Sequence, residues 1–225
     1  MLKNIEVPEN FNMNHSSVVE MGPDNTGQQL IELVMRELKV SSLENTNILD
    51  IGCGVRFTQA IINRSIQIAS YTGIEVNRSI VDYLKVAVEA KDDRFKYAHY
   101  NIENDMYNKN TKTTMSDLTK LPVVGKFDLI WLFSVFTHLN IDDTEAMLNL
   151  IRLHVEPTGN LFFSSFIDDD LKGFRYNIPE QPLYQVYYGL STMKSLLKKT
   201  GWEIIKYQKR DFELPIVDYF VCQPA

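Results

Sequence analysis

The sequence predicts an α/β fold, a doubly wound and mostly parallel sheet with helices on both faces, on three observations. Short apolar runs of strand length alternate with stretches of helical spacing along most of the chain, the pattern that builds parallel strands through right-handed crossovers. The first run, Ile48, Leu49 and Ile51, breaks at Gly52-Cys53-Gly54, and helical spacing resumes at Phe57, Ala60 and Ile61. Residues 127–133 are almost continuously apolar, as a central strand buried on both faces must be.

Each element follows from its local pattern. Residues 1–25 are polar and irregular, and Asn, Ser and Pro23 oppose a long helix there, so residues 1–27 are expected to form an N-terminal cap segment. Leu30, Ile31, Val34, Met35 and Leu38 share one face of a helix over 28–39. Residues 41–46 read as a loop into the first strand. After the glycine turn come a helix over 57–64, a strand over 71–74, a helix over 79–90 and a strand over 95–100. Residues 103–120 are polar and read as a loop around the sheet edge. Beyond the central strand, Asn140 stands three residues before Asp143, the spacing of a helix cap, and opens a helix to about His154. A strand follows over 160–166. Residues 167–190 are rich in aromatics and broken by Pro179 and Pro182, as expected of an irregular insertion that lids a substrate. A helix over 191–200 closes at Gly201, and strands over 202–207 and 216–222 bring the sheet to seven strands.

At 225 residues with 44% hydrophobic content the chain has the size of one domain with a packed core. Its formal charge of −6 argues against nucleic acid or an anionic membrane as partner and leaves a small-molecule substrate; oligomeric state is not legible. Two cysteines make no disulfide framework. No basic segment followed by an apolar run opens the chain, and no apolar stretch has the length of a membrane span. The default compartment is the cytoplasm.

The glycine turn carries the chemistry. Glycines allow a sharp bend and the close approach of a ligand, and the helix that follows aims unpaired N–H groups at it. Phe57 occupies the third position of a dinucleotide G-x-G-x-x-G fingerprint, where it opposes the close packing that motif needs. Asp50, just before the turn, suits a ligand with a cationic end. Asp50, Glu75, Asn101 and Phe133 all fall at expected carboxyl ends of strands, where open α/β sheets bind ligands.

Asp50-x-Gly52-x-Gly54 resembles the first motif of class I S-adenosylmethionine (SAM)-dependent methyltransferases. Glu75, at the end of Tyr71-Thr-Gly-Ile-Glu75, matches that family's ribose-binding acid. Phe127 to Leu139 is similar to its fourth strand and following turn, and Pro157 to Phe163 to the turn into its fifth strand. Val18 to Asp24 and Tyr107-Asn108 resemble features of a bacterial branch. The resemblance implies an antiparallel last strand, SAM as cofactor, and methyl transfer to an oxygen or nitrogen of a small-molecule acceptor. It implies a cofactor site of Asp50, Gly52, Cys53, Gly54, Glu75, Val76, Asn101, Ile102, Phe133 and Ser134. One departure stands out: where the family continues with a third glycine, Val55 is followed directly by Arg56. A binding or regulatory protein that keeps the fold without turnover is the alternative.

His138, beside the expected methyl site and with an ordinary pKa near neutrality, is the candidate general base; its alternative role is structural, near the helix start. His15 and His99 are weaker candidates, and His154 suits a helix C-terminus. Tyr184, Tyr187 and Tyr188 are the candidate acceptor contacts. Asp168-Asp169-Asp170 lacks a His or Cys at ligand spacing, so no metal is expected.

Overall fold

The computed structural model describes residues 2–12, 16–102, 111–181, 183–210 and 216–225; His15, Tyr107 and Asn108 lie outside them. Strands β1 (Leu43–Ile51), β2 (Ile68–Glu75), β3 (Phe95–His99), β4 (Phe127–Leu132), β5 (Val155–Asp168), β6 (Phe174–Tyr176), β7 (Val186–Gly189), β8 (Trp202–Gln208) and β9 (Asp218–Pro224) form one nine-stranded sheet. The seven expected strands lie in the order β3-β2-β1-β4-β5-β9-β8. From β3 to β5 all pairings are parallel. The last strand, β9, runs antiparallel between β5 and β8.

Helices α1 (Ser16–Met21), α2 (Pro23–Leu38), α3 (Arg56–Asn63), α4 (Arg78–Leu84), α5 (Ile141–Arg152) and α6 (Leu190–Lys199) complete the architecture. Side chains alternate across each strand, so the sheet presents two apolar faces. On one, Leu30 of α2, Phe57 of α3 and Ile80 of α4 pack with Ile48, Trp131 and Phe162. On the other, Met147 and Leu148 of α5 and Met193 of α6 pack with Leu49 and Phe163. Phe162 and Phe163 are completely buried, and each contributes roughly 1.5–3 kcal/mol by leaving water.

Several boundaries differ from the sequence expectation. α2 begins at Pro23, not at residue 28, and Gly22 before it has φ +86°; Pro at the first helical position loses no hydrogen bond, because that N–H has no partner in any helix. Residues 16–21 are helical rather than irregular. Residues 2–12 lie along the outside of α3 and α4: Asn63 and Ile5 exchange hydrogen bonds, and the Tyr83 hydroxyl donates to the Glu6 carbonyl at 2.6 Å. β1 starts at Leu43, taking in most of the expected loop through a bulge before Asn47. The helix expected over 79–90 is α4 followed by a π-turn over Lys85–Glu89.

The largest correction concerns residues 167–190. They are not irregular throughout. β5 runs on to Asp168, β7 pairs with its end in parallel, and β6 pairs with β7 antiparallel. Aromatic residues hold this extension: Tyr187 stacks on Phe166 at 4.9 Å. Residues 177–181 and 183–185 form its turns.

Candidate functional site

The glycine turn bends off β1 and is pinned to the neighbouring strand. The N–H groups of Gly52 and Cys53 both donate to the Ile74 carbonyl, at 2.8 and 3.0 Å. Gly52 (φ +70°) and Gly54 (φ +47°) occupy the left-handed region that favours glycine. A Cβ on Gly52 would stand 2.7 Å from Val135, whereas one on Gly54 would meet nothing within 4 Å. The turn is therefore tight against the β4 end at Gly52 and open at Gly54.

Glu75 ends β2 beside this turn. One carboxylate oxygen accepts from the Gly54 N–H at 2.9 Å and the other from the Asn77 N–H at 2.9 Å. Burial raises its pKa, and these backbone donors oppose the rise. The Val76 N–H acts on it as well; a carboxylate has about four lone-pair positions, so acceptor capacity remains after these backbone bonds. Val76, next in the chain, is half-buried, and its carbonyl lies 3.1 Å from His99 Nε2. Asn101 is exposed just past β3, while Ile102 is buried in the core on the α5 side of the sheet.

Asp50 is placed differently from the other motif residues. It is 1% exposed, and the Tyr71 hydroxyl donates to its Oδ2 at 2.5 Å. Burial pushes its pKa up to about 7, against the pull of Tyr71, the nearby Trp131 indole and Arg56. The Trp131 N–H is itself buried and, among the described residues, no acceptor meets it with good hydrogen-bond geometry. Cys53 is buried too, and its thiol is pushed up by burial and by the Asp50 and Glu75 carboxylates, so it is a filler of the turn and not a thiolate.

At the end of β4, Phe133 is buried against Phe57 and Phe162. Ser134 is exposed and has φ +59°, an uncommon conformation for a residue with a side chain. It is held by two bonds: its N–H donates to the Ser164 hydroxyl at 2.9 Å, and its carbonyl accepts from the Thr137 hydroxyl at 2.8 Å.

His138 is half-buried in a short 3-10 turn, and its Nδ1 lies 3.0 Å from the Leu183 carbonyl. Burial lowers its pKa, against the opposing effect of backbone groups at Leu183 and Tyr184. It ties the insertion to the β4 end. Of the three tyrosines, Tyr184 is the most exposed, at 43%. Tyr187 is half-buried between Phe166 and the guanidinium of Arg175, which lies 4.4 Å from its ring centre. Tyr188 is completely buried; its hydroxyl donates to the Leu139 carbonyl at 2.6 Å and lies 2.7 Å from the Thr144 hydroxyl. That corrects the expectation of an acceptor contact, because Tyr188 faces the core. His154 is half-buried just past α5, with its Nδ1 3.0 Å from the Gly125 carbonyl oxygen.

Sequence reasoning missed Tyr71, whose partnership with Asp50 depends on how β1 and β2 align. It noticed Arg56 only as a departure. Arg56 opens α3, half-buried, with its guanidinium 5.2 Å from the Phe57 ring centre.

A methyltransferase-domain family model matches residues 24–207. The chain belongs to this methyltransferase family. Solved structures agree in fold. A SAM-dependent methyltransferase of Leishmania major has 17% identity and a TM-score of 0.63, with 95% of this chain and 79% of that one covered. Magnesium protoporphyrin IX methyltransferase of Synechocystis, with SAM bound, has 11% identity and a TM-score of 0.60, covering 99% and 87%. The glycopeptide N-methyltransferase MtfA has 12% identity and a TM-score of 0.58, covering 89% of each chain. The family's cofactor is SAM, and the residues here suit it: the open face of Gly54, the remaining lone pairs of Glu75 and the cationic Arg56 adjoin one turn. Among the described residues, no group of His, Cys, Asp or Glu is arranged to hold a metal, and no helix is long and apolar enough to cross a membrane.

Proposed function

We propose that this methyltransferase-family chain transfers a methyl group from SAM to an oxygen or nitrogen atom of a small-molecule acceptor in the cytoplasm. The observation that carries the reading is the convergence of the open Gly54 turn, Glu75 and the exposed, left-handed Ser134 at neighbouring strand ends. When bound, SAM supplies an electrophilic methyl on a sulfonium. The protein's part is alignment, which carries much of the rate of an in-line displacement.

Each residue has a role in that reading. Glu75 accepts from the ribose hydroxyls. Asn101 offers a donor and an acceptor to the adenine edge. Ser134, fixed by Ser164 and Thr137, forms the floor beneath the acceptor. Tyr184 and Tyr187, on the insertion, contact the acceptor. With Nδ1–H on the Leu183 carbonyl, His138 carries its lone pair on Nε2, and burial keeps it neutral. It is the base for an acceptor that must lose a proton. The unpaired cysteines suit a reducing compartment. The chain is a single methyltransferase-like unit, with 1–27 as its N-terminal cap and 167–190 as its acceptor insertion.

A specific observation favours a second reading. One Glu75 oxygen already holds the Gly54 N–H of a turn that lacks the third glycine, and the other holds the Asn77 N–H before α4, as a fold retained for binding without turnover would allow. Calorimetric titration with SAM, S-adenosylhomocysteine and NAD, followed by labelled-methyl incorporation into a panel of acceptors, separates the two. Binding of the adenosyl ligands, weakened in Glu75→Ala, together with methyl incorporation supports transfer. Binding without incorporation into any acceptor favours the second reading. Failure of both adenosyl ligands to bind overturns the cofactor assignment.

A further inference from the structure

The insertion carries one row of side chains that belongs to neither apolar core. Alternation along β5 puts Phe162, Ser164 and Phe166 on one face of the sheet. Phe162 lies in the core shared with α2 and α3, and the Ser164 hydroxyl accepts from the Ser134 N–H at 2.9 Å. Phe166, one step further along that face, pairs with Tyr187 of β7, and Tyr187 pairs with Arg175 of β6. The three side chains therefore stand in line on the same face. The Phe166 and Tyr187 rings stack at 4.9 Å, and the Arg175 guanidinium lies over the Tyr187 ring, 4.4 Å from its centre. Phe166 and Tyr187 are half-buried and join neither core cluster, whereas Ile167, Val186 and Tyr188 beside them pack on the α5 side.

Stacking on Tyr187 orients the plane of the guanidinium and leaves its N–H groups at the rim. Among the described residues its one polar contact is a single nitrogen 3.5 Å from Asp168 Oδ2, with both side chains partly exposed. An ion pair that open contributes little, and a planar fork of donors suits a carboxylate through two parallel bonds. The row begins beside Ser134, where the acceptor is placed above. It ends at Arg175, roughly 12 Å from Ser164, two strand spacings across and two residues along. We infer that the acceptor is a flat acid of two or more fused or linked rings. Its nucleophile sits at Ser134, its rings lie along Phe166 and Tyr187, and its carboxylate is held by Arg175. A single ring is too short to reach both ends. The inference rests on the methyl-transfer reading above and adds the charge and the length of the acceptor to it.

The test is calorimetric titration of the full chain, saturated with S-adenosylhomocysteine. The probes are a hydroxybiphenylcarboxylic acid with its two groups at opposite ends, the matching carboxamide, and para-hydroxybenzoic acid. Wild type should bind the biphenyl acid roughly tenfold more tightly than the carboxamide, the worth of a hydrogen bond to a charged group at a half-open site, and more tightly than the single-ring acid. Arg175→Gln should erase the acid's advantage and leave the carboxamide unchanged. Arg175→Lys, which keeps the charge without the planar fork, should restore part of it. Tyr187→Ala should weaken both biphenyl probes. Arg175 is exposed, and binding of S-adenosylhomocysteine by each variant confirms that it is folded. An advantage that survives in Arg175→Gln, or equal binding of acid and carboxamide by wild type, overturns the inference. Failure of both biphenyl probes to bind a chain that holds S-adenosylhomocysteine, or a single-ring acid bound as tightly as the biphenyl acid, also overturns it and leaves the methyl-transfer reading intact. A wild-type chain that does not bind S-adenosylhomocysteine removes that reading, and the inference with it.

Discussion

Replacing Asp50 by Asn tests the state of the carboxyl beneath the glycine turn. In the folded chain its pKa rises from 3.8 to about 7, chiefly through burial. An acid raised on folding holds its proton more tightly in the native state. Its contribution to stability is therefore full below about pH 4 and is lost progressively as pH rises to about 7. Across the whole range the loss is roughly 4 kcal/mol, of which about 2.5 falls between pH 5 and pH 8. Asn keeps an oxygen for the Tyr71 hydroxyl and does not titrate. Urea unfolding of both proteins at pH 5 and pH 8 gives the comparison, and their difference cancels every other titrating group. The Asn variant should gain about 2 kcal/mol relative to wild type on going from pH 5 to pH 8. A difference that stays constant within about 0.5 kcal/mol would mean that Asp50 is ionised throughout, and the sealed carboxyl would have to be abandoned.

Other expectations follow from the same geometry. Tyr188→Phe should cost about 1–3 kcal/mol by leaving the Leu139 carbonyl and the Thr144 hydroxyl without their buried partner, with no change in acceptor KM; a raised KM at unchanged stability would return Tyr188 to the acceptor site. Gly73→Ala puts a methyl 2.7 Å from Cys53 Sγ and 3.0 Å from Tyr97, so thermal unfolding should show a loss of about 1–3 kcal/mol and titration a weaker hold on S-adenosylhomocysteine as Cys53 is pushed out of the turn. Burial lowers the His138 pKa from 6.5, so its contribution is present above pH 6.5 and is lost as pH falls through the folded value. Limited proteolysis within 177–185 should therefore quicken on acidification in wild type and show no such pH dependence in His138→Gln.

The parts of the fold that were legible in the sequence are those set by local pattern. Ile48, Leu49 and Ile51 followed by Gly52-Cys53-Gly54 specify strand, turn and helix within a dozen residues, and Glu75 and Ser134 fall at the ends of the two strands that flank β1. What escaped depends on long-range alignment. Tyr71 reaches Asp50 because β1 and β2 pair in one register, with Ile48 opposite Tyr71 and Asp50 opposite Gly73, and no local signal announces it. β6 and β7 are only three and four residues long, too short for an alternating pattern to be read, so their aromatics looked like those of a loop. Tyr188 was misassigned for the same reason: without the strand, its side could not be distinguished from that of Tyr187. The start of α2 was readable, since Pro23 after Gly22 is a helix-opening pair, but the polar residues beside it outweighed that signal.

β5 is a single rod shared by two neighbourhoods. Its first stretch is locked between β4 and β9, and its last three paired residues carry β7. Because side chains alternate with a period of two, adding or removing one residue between Ser164 and Phe166 would turn the insertion inside out, sending Tyr188 to the surface and Phe166 into the core. The turns at 177–181 and 183–185 carry no such constraint. Change in this protein is thus free in length at the hairpin tip and restricted to substitution, or to steps of two, along the rod. A lineage adapting to new acceptors would leave its record of insertions at the tip and none in the strand.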